Sequence, residues 1–295
     1  MTSCPPDLLF KHRMAGHVLL CLVTIGSVRP ATQTATFASR VEAVRVDVLV
    51  AEQGQPVRDL RAAEFDVLDN GVRQEVDLVS FEQIPLNALL VLDMSASVAG
   101  DRLDHLRRAA RLLLDGLKAE DQAALVTFNH AVVQGAGLTT NLERVRTALD
   151  RPVDPGETSL VDGIYAGMML GESDVGRSLL IVFSDGLDTS SWLSPDAVLD
   201  TARRSDVVVY AVAVGTSPKD TFLPELSALT GGTFFRVEST TNLGATFLGI
   251  LDEFRHRYLV SYTPRGVAKG GWHRLEVSVK RKGVTVKARP GYLSN

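Results

Sequence analysis

Three short stretches are apolar at nearly every position: Leu89–Leu92 (LLVL), Leu179–Phe183 (LLIVF) and Val207–Val214 (VVVYAVAV). A strand with one face in water alternates apolar and polar residues, whereas a strand covered on both faces has no polar face to show. Between these runs lie segments of helical period. One is Asp101–Leu117, with Leu103, Leu106, Ala110, Leu113 and Leu117 on one face. Strand and helix in alternation, with two-sided strands, predict an α/β fold: a doubly wound, mainly parallel sheet of Rossmann-like type.

The same reading places further strands at Leu86–Leu92, Ala123–Phe128, Ala131–Gln134, Ser178–Phe183 and Thr233–Val237. Helices are predicted at Asn141–Leu149, Ser159–Leu170, Pro195–Arg204, Leu223–Leu229 and Leu243–Arg255. On either side the pattern changes to period two. Val44, Val46, Val48 and Val50 alternate before the α/β region, and Phe65–Leu68 and Val72–Val79 flank an Asp69-Asn70-Gly71 hairpin signal. After it, Tyr258, Val260 and Tyr262 form one alternating set, Leu275, Val277 and Val279 a second, and Val284, Val286 and Ala288 a third, with Lys282-Gly283 as a turn. Neither set has enough strands to stand alone. The two ends are expected to meet in one small β-sandwich, into which the α/β domain is inserted; two separate β units are the alternative. The domains then run 39–83 (N-terminal strands), 84–256 (α/β domain) and 257–295 (C-terminal strands).

Residues 1–38 read as a leader. Lys11 and Arg13 precede an uncharged apolar run from Val18 to Val28, too short for a comfortable membrane span but suited to a signal peptide. Small residues follow at Ala35, Ala38 and Ser39. Cys21 is preceded by Leu20, where a lipobox wants a small residue. Both cysteines, Cys4 and Cys21, lie in the leader, so its removal leaves a chain suited to an oxidising compartment. The expectation is an exported protein, periplasmic or extracellular, with no transmembrane segment beyond the leader and an uncleaved leader as anchor the alternative. A net charge of −4 argues against a nucleic-acid partner. The basic stretch Lys280-Arg281-Lys282 reads as solvated strand edge.

The first two-sided strand ends in Asp93-Met94-Ser95-Ala96-Ser97. In open parallel sheets ligands bind beyond the carboxyl ends of the strands. Asp93, Ser95 and Ser97 offer only oxygen, the donor that hard, hydrated cations prefer. Alone, this triplet reads equally well as helix capping. Two further segments reach the same predicted edge: Thr158 in PGETSLVDGI, immediately before a helix, and Asp185 in LLIVFSDGLDT, at the end of another buried strand.

Together, Asp93, Ser95, Ser97, Thr158 and Asp185 resemble the metal-ion-dependent adhesion site (MIDAS) of von Willebrand factor type A domains, in that family's order, over about Pro85–Phe254. The N-terminal LRAAEFDVLDNGVRQEV and the C-terminal strands further resemble bacterial exported proteins of the acidobacterial VWFA-related type. The resemblance implies Mg²⁺, or Mn²⁺ or Ca²⁺, as cofactor. It implies direct ligation by Ser95 and Ser97, and by Thr158 either directly or through water. Asp93 and Asp185 would act through water and hydrogen bonds. A cation without a directly bound anionic ligand keeps much of its charge. An acidic side chain of a protein partner then completes its coordination, the chemistry of an adhesion module. Asp188 and Glu157 are candidates for groups just outside the ligand set; turn and cap duty is the ordinary reading of Asp188, and a solvated or packing role that of Asp162. Asp101 reads as a helix cap.

The rival classes are a metal-dependent hydrolase of phosphatase type and a scaffold with a purely structural metal. Phosphatases of the haloacid dehalogenase type have a second acid two positions after the nucleophilic aspartate; Ser95 stands there in this chain. No catalytic residue is assigned, because the sequence has no Gly-x-Ser-x-Gly elbow and no P-loop.

Overall fold

The structure is a computed structural model that describes residues 43–80, 84–152, 156–173, 175–185, 187–215 and 221–294. The leader lies outside them.

Five strands come first: β1 (Val44–Glu52), β2 (Gln55–Pro56), β3 (Phe65–Asp69), β4 (Val72–Gln74) and β5 (Val76–Ser80). The central region then runs β6 (Leu86–Asp93), α1 (Asp101–Asp115), β7 (Gln122–Phe128), β8 (Val132–Thr139), α2 (Leu142–Leu149) and α3 (Leu160–Gly171). It continues through β9 (Arg177–Ser184), α4 (Pro195–Arg204), β10 (Val208–Val214), α5 (Phe222–Leu229), β11 (Phe234–Val237) and α6 (Leu243–Arg255). The last strands are β12 (Tyr258–Tyr262), β13 (Gly271–Val279), β14 (Val284–Lys287) and β15 (Gly291–Ser294).

The central sheet has the order β11-β10-β9-β6-β7-β8, parallel except for β8, which returns antiparallel on β7. Every residue of β6, β9 and β10 is buried. Alternate residues feed opposite cores. On β6, Leu90 and Leu92 pack with α1, α2 and α6, whereas Leu89 and Val91 pack with α3, α4 and α5. That two-sided demand is why the runs are continuous. β6 leads to β7 on one side, while β9 lies on its other side, so the strand order reverses between β6 and β9. Sheets of this kind open a crevice at the carboxyl ends of such a strand pair.

Strands from the two ends of the chain interleave. One sheet has the order β14-β1-β12-β5, with β2 on β1; the other is β15-β13-β3-β4. The first half of β1 pairs with β12 and its second half with β14. Val46, Val48, Val50, Phe65, Val67, Tyr258, Val260 and Tyr262 make the core between the sheets. The Asn70-Gly71 turn has φ of 47° and 80°, the left-handed values a two-residue hairpin needs.

Several details differ from the sequence-based expectation. The Val72–Val79 run is broken at Glu75: β4 stays with β3, and β5 crosses to β12 in the opposite sheet. The buried Gln74 side chain holds that corner, donating to Val72 O and Arg265 O and accepting from Arg265 N. Lys282-Gly283 likewise joins strands of opposite sheets. β8 extends to Thr139, and β15 is too short to show a period. Gly100, with φ 71°, takes the cap position before α1, leaving Asp101 in its first turn. The basic stretch lies at the surface, as expected, and also makes contacts there: Lys280 Nζ donates to Ala63 O and Arg281 pairs with Asp59.

Candidate metal site

Asp93 is the last residue of β6 and has no exposed surface. The chain then turns through a short 3₁₀ segment, Ala96–Val98. Met94 N donates to Phe128 O at 2.7 Å, and the buried side chains of Met94 and Val98 anchor the turn in the core. This leaves the Ser95 and Ser97 hydroxyls beside each other, with their Oγ atoms 3.0 Å apart. Asp93 Oδ1 accepts from Ser95 N at 2.9 Å, and Oδ2 accepts from the Ser184 hydroxyl at 2.7 Å. Burial pushes the Asp93 carboxyl above the ordinary carboxylate range; the two serines pull it back, and the nearby charge of Asp185 pushes it further up.

The other two segments converge here. Ala96 N donates to Gly156 O at 3.2 Å, joining the first loop to the one that carries Thr158. Asp185 directly follows Ser184, the donor to Asp93. Thr158 N donates to Thr189 Oγ1, and Thr158 O accepts from Thr189 N and Ser190 N, all at 2.9–3.1 Å. Thus Ser95 contacts both Asp93 and Ser97, Asp185 acts electrostatically on Asp93, and Thr158 is tied in through its loop and the segment after Asp185.

Asp188 Oδ1 accepts from Val161 N at 3.3 Å and from Ser191 Oγ at 2.5 Å, capping the first turn of α3. This is the cap duty that its position suggested. Glu157 is exposed. Sequence reasoning missed the roles of two residues. Ser184 braces Asp93, and its only sequence signal was a hydroxyl just before the strand-terminal acid. Asp162, read as solvated or packing, accepts from Trp192 N and Leu193 N at 2.9 Å each and pins the loop after Asp185 to α3.

Two ligands on adjacent corners of an octahedron with bonds of about 2.1 Å lie about 3 Å apart. The Ser95–Ser97 oxygen separation of 3.0 Å fits that edge. Both oxygens of Asp93 already accept hydrogen bonds, which suits a carboxylate that acts on a cation indirectly. Among the described residues, no three His, Cys, Asp or Glu side chains gather at one point. The candidate set is therefore rich in hydroxyls, as a hard cation allows.

A doubly wound α/β domain with oxygen-bearing loops gathered at its switch point is thus the class that the fold and the site define. The chain belongs to the von Willebrand factor type A domain family, whose model matches residues 87–248. It is 27% identical over 186 residues to inter-alpha-trypsin inhibitor heavy chain H2 of Sus scrofa, covering 58% of this chain and 20% of that protein. With heavy chain H3 of Mesocricetus auratus it shares 23% over 196 residues, covering 60% and 22%. The chain spans about a fifth of the length of these curated relatives. Among solved structures, proximal thread matrix protein 1 from the mussel byssus, with a zinc-occupied MIDAS motif, superposes with a TM-score of 0.53 at 18% identity, over 63% of this chain and 49% of that one. At that identity the likeness speaks for the fold. Among the described residues no helix is long and apolar enough to cross a membrane.

Proposed function

We propose that this chain is a divalent-metal-dependent protein-binding module. Ser95, Ser97 and Thr158 would hold a Mg²⁺-type ion, with Asp93 and Asp185 acting through hydrogen bonds and water. When bound, the ion supplies a partly satisfied positive charge that takes a carboxylate from a protein partner. The observation that carries this reading is the pair of serine hydroxyls at octahedral-edge spacing over a buried, braced carboxylate. The rest of the site prepares for this: β6 and β9 deliver the acids, and the Met94 and Val98 anchors hold the hydroxyls in place before any ion arrives. Mn²⁺ and Ca²⁺ are further candidates for the ion. The apolar leader supports export to a periplasmic or extracellular setting, and the domain boundaries at 84 and 256 belong to the same proposal.

A binding role is favoured over phosphatase chemistry by a specific contact pattern. A nucleophilic aspartate needs a free, approachable oxygen, whereas Asp93 is fully buried with both oxygens engaged. Titration calorimetry tests the site: Ser95→Ala and Asp185→Ala should each weaken Mg²⁺ or Mn²⁺ binding by about 10-fold or more while the circular dichroism stays native. Unchanged affinity in both variants refutes the ligand assignment.

A further inference from the structure

The loop that follows Asp185 carries an exposed tryptophan on a fixed backbone. Trp192 is 97% exposed, and Leu187 on the same loop is 56% exposed. The backbone from Ser190 to Leu193 is held at many points. Trp192 N and Leu193 N donate to the Asp162 carboxylate, Ser191 Oγ accepts from Asp162 N at 3.1 Å, and the Ser159 and Ser190 hydroxyls are 2.9 Å apart. Leu193 packs against the α3–α5 core, and Ser194 then caps α4. The indole is therefore left in water by a loop that is otherwise secured. Exposing a large apolar ring on a rigid support is unfavourable for an isolated chain but suits a contact surface, where Trp is strongly enriched among the residues that carry binding energy. A ring whose backbone is already ordered also loses little entropy on binding.

We propose that Trp192 and Leu187 are the apolar anchor of the partner surface, and that the partner is a protein segment with an acidic side chain next to an apolar or aromatic one. This rests on the metal-site reading above. The loop starts at Asp185 and hydrogen-bonds Thr158, so the anchor and the ion share one rim. The rim also carries exposed carboxylates on Glu157 and Asp188. An acidic partner group approaching it without the cation meets like charge, so recognition of that group requires the ion, and the apolar contact adds to it. The same carboxylates disfavour an anionic lipid surface as the occupant.

A random-peptide phage library panned on the full protein in Mg²⁺, with EDTA elution, tests this. Recovered peptides should pair an acidic residue with an apolar one within two positions. A selected peptide should bind Trp192→Ala about tenfold or more weakly, whereas the Mg²⁺ affinity of this variant by calorimetry stays at the wild-type value. Equal peptide binding by Trp192→Ala, or peptides with an acid but no apolar preference, would overturn the anchor. Peptides that bind Ser95→Ala as well as wild type, or no EDTA-sensitive enrichment, would sink the metal-site reading and the anchor with it. Binding of wild type to phosphatidylcholine vesicles that is lost in Trp192→Ala would overturn the protein partner in favour of a membrane.

Discussion

At Asp93 a carboxylate is kept where burial disfavours its charge. Its pKa is raised in the folded chain, so without metal the folded state holds this proton more tightly than the unfolded state does. The resulting contribution to stability is complete below the unfolded value of about 3.9 and is lost as pH rises through the higher folded value. At neutral pH Asp93 is therefore a liability of the metal-free protein. Asp93→Asn keeps the shape and an acceptor for Ser95 N but removes the charge. In EDTA it should melt higher than wild type at pH 7, with the gap closing toward pH 4. With Mg²⁺ the order should reverse, because wild type gains from binding and the variant does not. Parallel melting curves for the two proteins in EDTA at pH 7 and pH 4 would show that Asp93 carries no such penalty.

At the scale of an element, α3 sets where Thr158 stands. Gly163, Gly167 and Gly171 recur every fourth residue on the face turned to the sheet. A Cβ on Gly163 would lie 2.7 Å from Phe128 Cδ1, one on Gly171 2.7 Å from Val207 Cγ2, and one on Gly167 would press into Val91 Cγ2. The helix can approach the strands this closely only without side chains there. Gly167→Val should cost about 1–3 kcal/mol in urea denaturation and also weaken Mg²⁺ binding, because a displaced α3 carries the Thr158 loop with it. A variant as stable as wild type would contradict the close packing. The span of α3 was legible to within a residue from its period, but the role of its glycines was not. A glycine in a helix reads as a mild defect until the opposing strand is known.

For the molecule as a whole, the β-sandwich and the α/β domain are joined through buried arginines on the side of the sheet away from the candidate site. Arg177 at the start of β9 donates through Nε to Asp47 of β1 at 2.6 Å and reaches Phe254 O and Arg257 O at 3.2 Å. Arg289 donates to Ser205 O at 2.8 Å and Arg203 O at 3.0 Å at the end of α4. Asp47→Ala would leave the Arg177 guanidinium buried without its counter-charge, a loss of about 3–5 kcal/mol by denaturant unfolding. A cost near that of a surface substitution would mean that the pair does not hold the two parts together. The joining of the two chain ends was foreseen because neither set of strands could stand alone. The crossing of β5 and β14 into the sheet opposite their chain neighbours β4 and β13 was not, because period two looks the same in either sheet.

From the sequence alone, periodicity predicted that helices cover both faces of a mainly parallel sheet, and the chemistry of strand ends pointed to five oxygen-bearing residues at its carboxyl rim. Those signals are local: burial on two faces leaves its mark on consecutive residues, and a loop after a strand lies at that strand's end. Only the tertiary structure decided that two hydroxyls stand 3.0 Å apart, that Ser184 braces Asp93, that Asp162 pins the next loop, and that Trp192 is left in water. Contacts between residues as distant as Asp93 and Ser184 depend on how every intervening element packs, and no short-range pattern records that.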